Sequence, residues 1–292
     1  MPIIEPIVRS LRPGQWVKNV LVFAPLIFAQ QALDPRALVR SLAAFAIFCL
    51  ASGTVYLVND LLDRASDREH PIKRRRPIAS GALSPAAATV AAALLGAGTL
   101  LAAATLDPRL TLVLGTYLVV NLAYSRTLKH MVILDVMTVA AGFVLRVVAG
   151  GIAVGVTLSS WLLLCTSLLA LFLGFGKRRH ELVLLEVNAS SHRPILSEYS
   201  PYFLDQLIGV VTTSTLVSYA LYTMDPLVHQ KLGTPYLPLT IPFVLYGIFR
   251  YLYLVHQKQE GGDPTQIVFT DRPLLVNIVL WVATVFIMLY LR

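Results

Sequence analysis

Long apolar runs separated by short polar stretches set the pattern of this chain. Nine runs are apolar enough to predict membrane-crossing helices, near residues 18–33, 38–58, 84–105, 109–124, 132–153, 159–176, 204–224, 237–255 and 273–291. A spanning helix needs roughly 17 to 25 mostly apolar residues, so the first and fourth runs are short for the task. No stretch between the runs can hold a soluble domain of useful size. The pattern therefore predicts one all-α integral membrane domain over residues 1–292.

The polar stretches turn this into a topology. One alternating set, the N-terminus with 59–83, 125–131, 177–203 and 256–272, carries seventeen Lys and Arg, while the other set carries five. The positive-inside rule then puts the N-terminus and these charged loops in the cytoplasm of a multi-pass cell-membrane protein. Arg146 and Arg250 fall inside runs.

Composition agrees. Of 292 residues, 56% are hydrophobic and 14% charged, and the mean hydropathy is +0.69, whereas soluble domains are about half apolar and about a quarter charged. The net charge of +8 would suit nucleic acid, but no basic and aromatic recognition module accompanies it. The start, MPIIEPIVRSLRPGQWVKN, brings an acid, three prolines and several cations before the first run and no small-residue cleavage site, so insertion by the chain's own helices is expected. Cys49 and Cys165 both lie in apolar runs, where packing explains them better than a disulfide or thiolate site.

Candidate chemistry begins where the second run ends, in NDLLDRASDREHPIKRRRP (59–77). Asn59 is followed by Asp60, Asp63 and Asp67, spaced three and four apart, so a helix continuing out of the membrane would carry them on one stripe. Like charges at that spacing repel unless a cation lies against them. Mg²⁺ is usually held by carboxylates, retained waters and substrate phosphate oxygens, which makes the stripe a candidate Mg²⁺–diphosphate site. Two simpler readings compete: Arg64 and Arg68 could pair with the acids on a solvated helix end, and Lys73 to Arg76 could anchor the chain at anionic lipid.

Two more loops add to this face. Tyr124, Ser125, Arg126 and Lys129 precede Asp135, a carboxylate inside the fifth run, where burial costs a few kcal/mol unless it is paired. Arg146 follows eleven residues later, on the same helical face, and needs a polar cavity or a buried partner. Lys177, Arg178 and Arg179 open the third loop, where arginine forks suit phosphate. His180 beside them has no second histidine at ligand spacing. No Gly-x-x-x-x-Gly-Lys-Ser/Thr loop, dinucleotide fingerprint or nucleophile elbow is present.

The Asn-Asp-x-x-Asp-x-x-x-Asp loop after the second of nine runs, followed by His-Pro-x-Lys-x-x-Arg-Pro, resembles the first aspartate-rich motif of the UbiA superfamily of membrane prenyltransferases, and the likeness extends over the whole chain. It implies a nine-helix bundle with a cytoplasm-facing polar cavity. LRPGQWVKNVLVFAPLIFA (11–29), YSRTLKHMVILDVMTVAAGFVLRVVAGG (124–151), GFGKRRHEL (174–182) and GGDPTQIVFTDRPL (261–274) are similar to the branch of decaprenyl-phosphate phosphoribosyltransferases. That resemblance implies transfer of 5-phosphoribose from 5-phosphoribosyl 1-diphosphate (PRPP) to a polyprenyl phosphate, releasing diphosphate, for cell-envelope arabinan precursors.

It further implies a catalytic set of Asp60, Asp63, Lys129 and Asp135, with Mg²⁺ on Asp60, Asp63 and Asp67. Lys18, Asn19, Asn59, Lys73, Arg76, Tyr124, Arg146, Lys177 and Arg178 would contact substrate, while Trp16 suits an interface anchor. One departure bears on the donor. Aromatic prenyltransferases of the superfamily carry a second Asp-x-x-x-Asp, but here the fourth residue after Asp135 is Val139. The rivals are an aromatic or haem-type prenyltransferase and, from another class, a lipid-phosphate carrier, although a carrier usually binds near the membrane midplane. Two points stay open: the oligomeric state, with a homo-oligomer among the options, and whether 184–203 is a lid or a connector.

Overall fold

The computed structural model describes residues 4–187, 194–258, 262 and 264–291, and among them it is helical with no strand. The helices are α1 (Ile4–Ser10), α2 (Ala24–Phe28), α3 (Pro35–Leu62), α4 (Arg64–Glu69), α5 (Pro85–Leu106), α6 (Pro108–Arg126) and α7 (Leu134–Val154). They continue with α8 (Ser160–Val187), α9 (Pro201–Met224), α10 (Pro226–Leu232), α11 (Ile241–His256), α12 (Pro264–Thr270) and α13 (Arg272–Tyr290).

Six of these helices start by one local device, an Asp or Ser cap with proline one or two residues on. Asp34, Ser84, Asp107, Ser200, Asp225 and Asp271 each accept a hydrogen bond from a backbone N–H of the first turn. The cap satisfies one of the orphan donors, and proline there forfeits no bond the helix needs.

Among the described residues, seven helices are long and apolar enough to cross a membrane: Pro35–Leu62, Pro85–Leu106, Leu134–Val154, Ser160–Val183, Pro201–Met224, Leu237–His256 and Arg272–Tyr290. These correspond to seven of the nine apolar runs. The run at 18–33 instead falls on a 3₁₀ segment, Pro13–Phe23, followed by the five-residue α2. The run at 109–124 does form a helix, α6 of 19 residues, but Arg109, Asn121, Ser125 and Arg126 make it more polar than the others. Large apolar side chains such as Leu94 and Leu101, each 70% exposed, face outward, as lipid-facing residues would.

The chain divides into two compact units. The first comprises Met1–Leu26, Asp34–Met131 and Leu145–Val156. In it α3 packs against α5, α6 and the 3₁₀ segment, around Val22, Phe48, Leu110 and Leu114, with a second cluster at Leu57, Ile78 and Leu83. Close approach is possible there because residue 150 is glycine: a Cβ would stand 2.0 Å from the Val22 carbonyl oxygen. The second unit comprises Ile27–Leu33, Val132–Val144 and Thr157–Arg292. Here α8 packs on α9 and α11 on α13, around Val136, Phe172, Leu204 and Tyr251.

Candidate active site

In the first unit the aspartate motif begins on α3. The helix stops at Leu62 because Asp63 leaves helical geometry (φ −89°, ψ 6°) and serves as the cap between α3 and α4. Backbone bonds from Asp63 N to Asn59 O (2.9 Å) and Asp67 N to Asp63 O (2.8 Å) still bridge the break. The three aspartates therefore lie on two short-coupled helices rather than on the single continuous helix expected. Asp60 and Asp67 are buried, 2% exposed each.

One guanidinium joins these two carboxylates. Arg76 Nη1 donates to Asp60 Oδ1 at 3.1 Å and to Asp67 Oδ2 at 2.6 Å. Arg12 Nη2 also donates to Asp60 Oδ1 at 2.5 Å, and its guanidinium lies 4.8 Å from the Tyr56 ring centre. Asp63 turns to a separate partner, Lys129 Nζ at 2.8 Å. The simpler expectation, that Arg64 and Arg68 pair with the acids, is not what forms. Arg68 Nε donates to the Ala79 carbonyl at 3.1 Å, and Arg64 Nε is buried with no partner.

Does this donor set suit a hard divalent cation? Among the described residues, no three His, Cys, Asp or Glu side chains gather closely enough to hold a metal by themselves. Two observations nevertheless favour a cation that takes part of its shell from water and substrate. A positively charged nitrogen already bridges the buried oxygens of Asp60 and Asp67, and Asn59 Oδ1, next in sequence, is a buried oxygen with no hydrogen bond. Mg²⁺ commonly takes only one or two carboxylates and keeps waters and phosphate oxygens for the rest. The residues fit that mode.

The loop after the motif is tied down by His70, whose Nδ1 accepts from the backbone N–H of Ile72 (3.2 Å) and Lys73 (3.3 Å). Burial, and then the nearby Lys73 charge, lower the His70 pKa below its ordinary 6.5. Lys73 heads a 3₁₀ turn, Lys73–Arg75, that delivers Arg76 to the aspartates. Tyr124 and Lys18 are half-buried in the same unit. Trp16, expected as an interface anchor, packs on the Leu57–Ile78 cluster and donates from Nε1 to the Leu11 carbonyl at 3.2 Å.

Arg146, on α7, finds buried polar and aromatic partners. Its Nε donates to Asn19 Oδ1 at 2.8 Å and its Nη2 to Tyr117 Oη at 3.1 Å, and it lies over the Phe48 and Tyr117 rings at 5.3 and 5.1 Å. Asn19, fully buried, donates onward to Ser52 Oγ at 3.2 Å and Cys49 Sγ at 3.3 Å. Two of the predicted substrate residues, Asn19 and Arg146, thus meet directly.

In the second unit Asp135 has no exposure and is held at both oxygens. Arg178 Nε donates to Oδ2 at 2.6 Å and Tyr199 Oη to Oδ1 at 2.7 Å, while Arg178 Nη1 reaches Glu181 at 2.6 Å. The turn before it is strained: Ile133 sits at φ 69°, a region a β-branched residue rarely occupies. Its N–H donates to Tyr199 Oη at 2.6 Å, so one hydroxyl fixes both the strained turn and the carboxylate. Burial raises the Tyr199 pKa, so the phenol remains a donor at neutral pH. Lys177 Nζ lies 3.9 Å from Glu181 Oε1. Of the 184–203 stretch, 188–193 lie outside the described residues. Within the rest, Pro194–Glu198 forms a 3₁₀ turn, and Ile195, Leu196 and Tyr199 are buried in the α8–α9 core.

Arg12 and Tyr199 were not among the predicted site residues. Arg12 left one signal, an arginine before Pro-Gly at a helix end. It takes a left-handed conformation there (φ 52°) that turns the chain between α1 and the 3₁₀ segment. Tyr199 left none, since its partners are 64 and 66 residues away.

Known proteins bear on these geometries. The family model described as the UbiA prenyltransferase family matches residues 20–270. The decaprenyl-phosphate phosphoribosyltransferase of Corynebacterium glutamicum is 37% identical over 98% of this chain and 87% of its own length. The protein of the same name in Mycobacterium tuberculosis is 36% identical over 97% of this chain and 94% of its own. In three dimensions, a UbiA homolog from Archaeoglobus fulgidus, solved with GPP and Mg²⁺ bound, superposes with a TM-score of 0.71 over 97% of this chain and 99% of that one, at 18% identity. That last likeness is one of fold.

Proposed function

The chain belongs to the UbiA prenyltransferase family, and from that premise we propose that it transfers 5-phosphoribose from PRPP to a polyprenyl phosphate of the decaprenyl type, releasing diphosphate. The observation that carries this reading is the near full-length likeness to relatives named decaprenyl-phosphate phosphoribosyltransferase. The replacement of the second aspartate of Asp-x-x-x-Asp by Val139 supports a donor other than a prenyl diphosphate.

In the reaction the bond from the ribose anomeric carbon to the diphosphate oxygen breaks, and the diphosphate leaves with the electron pair. A lipid phosphate oxygen then bonds to that carbon, which carries positive, oxocarbenium-like character in the transition state. Mg²⁺ held by the Asp60, Asp63 and Asp67 motif would supply Lewis-acid neutralisation of the diphosphate. Arg76 holds the Asp60 and Asp67 carboxylates together, and Arg12 adds a second contact to Asp60. Lys73 and Lys129 bind phosphate oxygens; Lys177 and Arg178 lie on α8 in the second unit, where Arg178 holds Asp135 and Glu181. No strong general base is required, because the attacking phosphate is already an anion.

The same reading makes 1–292 one multi-pass transferase domain with nine crossings, counting 18–33 and α6, and with the N-terminus and charged loops cytoplasmic. The experiment offers purified protein, Mg²⁺ and polyprenyl phosphate a choice of labelled PRPP or a prenyl diphosphate with an aromatic acid. Label entering the lipid from PRPP is expected, and loss of that transfer in Asp60→Asn with folding intact. Alkylation of the aromatic acid with no label in the lipid would replace this reading by an aromatic prenyltransferase.

A further inference from the structure

A groove of about 450 Å³ runs between α9 and α11 in the second unit. Its walls are mostly apolar, with Ile208 and Gly209 on α9 facing Leu252 and Tyr253 on α11. Gly209 leaves it open: a Cβ built there meets nothing within 4 Å. Both helices are long and apolar enough to cross a membrane, and in hydrocarbon such a space is filled by lipid chains.

One end of the groove is polar. Asp205 and His256 line it, with His256 Nε2 3.1 Å from Asp205 Oδ1. Arg179 pairs with the same carboxylate at 2.5 Å. Lys258, just past α11, lies over the Tyr253 ring with its Nζ 6.0 Å from the centre, and Arg250, paired with Asp271, lies over that ring too at 5.1 Å. Two cations thus stand next to lining residues at this end, Arg179 on Asp205 and Lys258 over Tyr253, with the His256 imidazole between α9 and α11 against one carboxylate.

A slot for one hydrocarbon chain with a net positive rim at its mouth matches a lipid with an anionic headgroup. We infer that the α9–α11 groove binds an anionic phospholipid, one acyl chain along Gly209 and Leu252 and the headgroup phosphate at His256 and Lys258. The groove shares no residue with the aspartate motif, and the inference does not depend on the reaction proposed above.

The test is native mass spectrometry of the full chain released from detergent with phosphatidylglycerol or phosphatidylcholine. Wild type is expected to retain phosphatidylglycerol in preference. Gly209→Leu, whose Cβ meets nothing within 4 Å, puts a side chain into the groove and should remove that adduct while the thermal midpoint holds. Lys258→Gln should weaken phosphatidylglycerol binding about fivefold, the change one cation makes at an anionic surface, and leave phosphatidylcholine unmoved. Equal retention of the two lipids, or an adduct that survives Gly209→Leu, overturns the inference. So does disulfide crosslinking of two copies through Thr213→Cys, which would make a second chain the occupant.

Discussion

Removing Arg76 isolates what the buried carboxylates are built to hold. In Arg76→Gln, Asp60 keeps Arg12, but Asp67, whose side chain is 3% exposed, loses the guanidinium that neutralises it. Breaking a buried ion pair from one side costs about 3–5 kcal/mol. Arg76 is itself 25% exposed, and water reaching it trims the loss to about 2–3 kcal/mol. At roughly 2 °C per kcal/mol for a chain of this size, the thermal midpoint in detergent should fall by about 4–6 °C. If the same oxygens accept a divalent cation, Mg²⁺ at about 100 times its dissociation constant returns about 2.7 kcal/mol and nearly erases the loss. The assay is intrinsic-fluorescence melting of wild type, Arg76→Gln and Arg76→Gln/Asp67→Asn, each with and without Mg²⁺. Mg²⁺ is expected to raise the midpoints of wild type and of the single variant, and to leave that of the double variant nearly unmoved. If Mg²⁺ raises the midpoint of the double variant as much as it raises that of the single variant, the metal assignment to Asp60 and Asp67 is wrong.

Three further outcomes follow from the geometry. Tyr199→Phe keeps the ring but strands the Ile133 N–H and one Asp135 oxygen, at about 1–3 kcal/mol for buried groups left unpaired; amide exchange at Ile133 should quicken and the midpoint fall, and protection equal to wild type would dissolve the proposed clamp. Gly150→Ala puts a methyl 2.0 Å from the Val22 carbonyl oxygen, so the yield of monodisperse protein should drop at an overpacking cost of about 1–3 kcal/mol or more, while Gly115→Ala, whose Cβ meets nothing within 4 Å, serves as the harmless control. The His70 pKa is lowered by folding, so its contribution is fully present above the ordinary 6.5 and is lost as pH falls through the lower folded value; proteolysis of the 70–76 loop should accelerate on acidification through that range in wild type, and an equal acceleration in His70→Asn would show that another group is responsible.

Much of this architecture is legible because its causes are local. Apolar runs and Ser/Asp-Pro caps mark most helices, and the spacing of Asp60, Asp63 and Asp67 marks the motif, since each depends on residues within a turn or two. Two features are hidden for different reasons. The first apolar run reads as a spanning helix, yet its beginning is 3₁₀, because hydrophobic content does not report which carbonyl each N–H will choose. The split of the aspartates into a bridged pair and a separate Asp63–Lys129 pair depends on where α3 ends, and Asp63 itself ends it. Partner identity is the least legible part. Arg12 reaches Asp60 across 48 residues and Tyr199 reaches Asp135 across 64, and no periodicity within a segment encodes such meetings.

The most direct test of the account follows two labels on one donor. PRPP carrying one phosphorus isotope in its 5-phosphate and another in its diphosphate is incubated with the protein, Mg²⁺ and polyprenyl phosphate, and the organic and aqueous phases are counted. Phosphoribosyl transfer predicts the 5-phosphate label in the lipid and the other label in the water as diphosphate, in equal amounts. Both labels remaining in the aqueous phase, or both entering the lipid together, would contradict it.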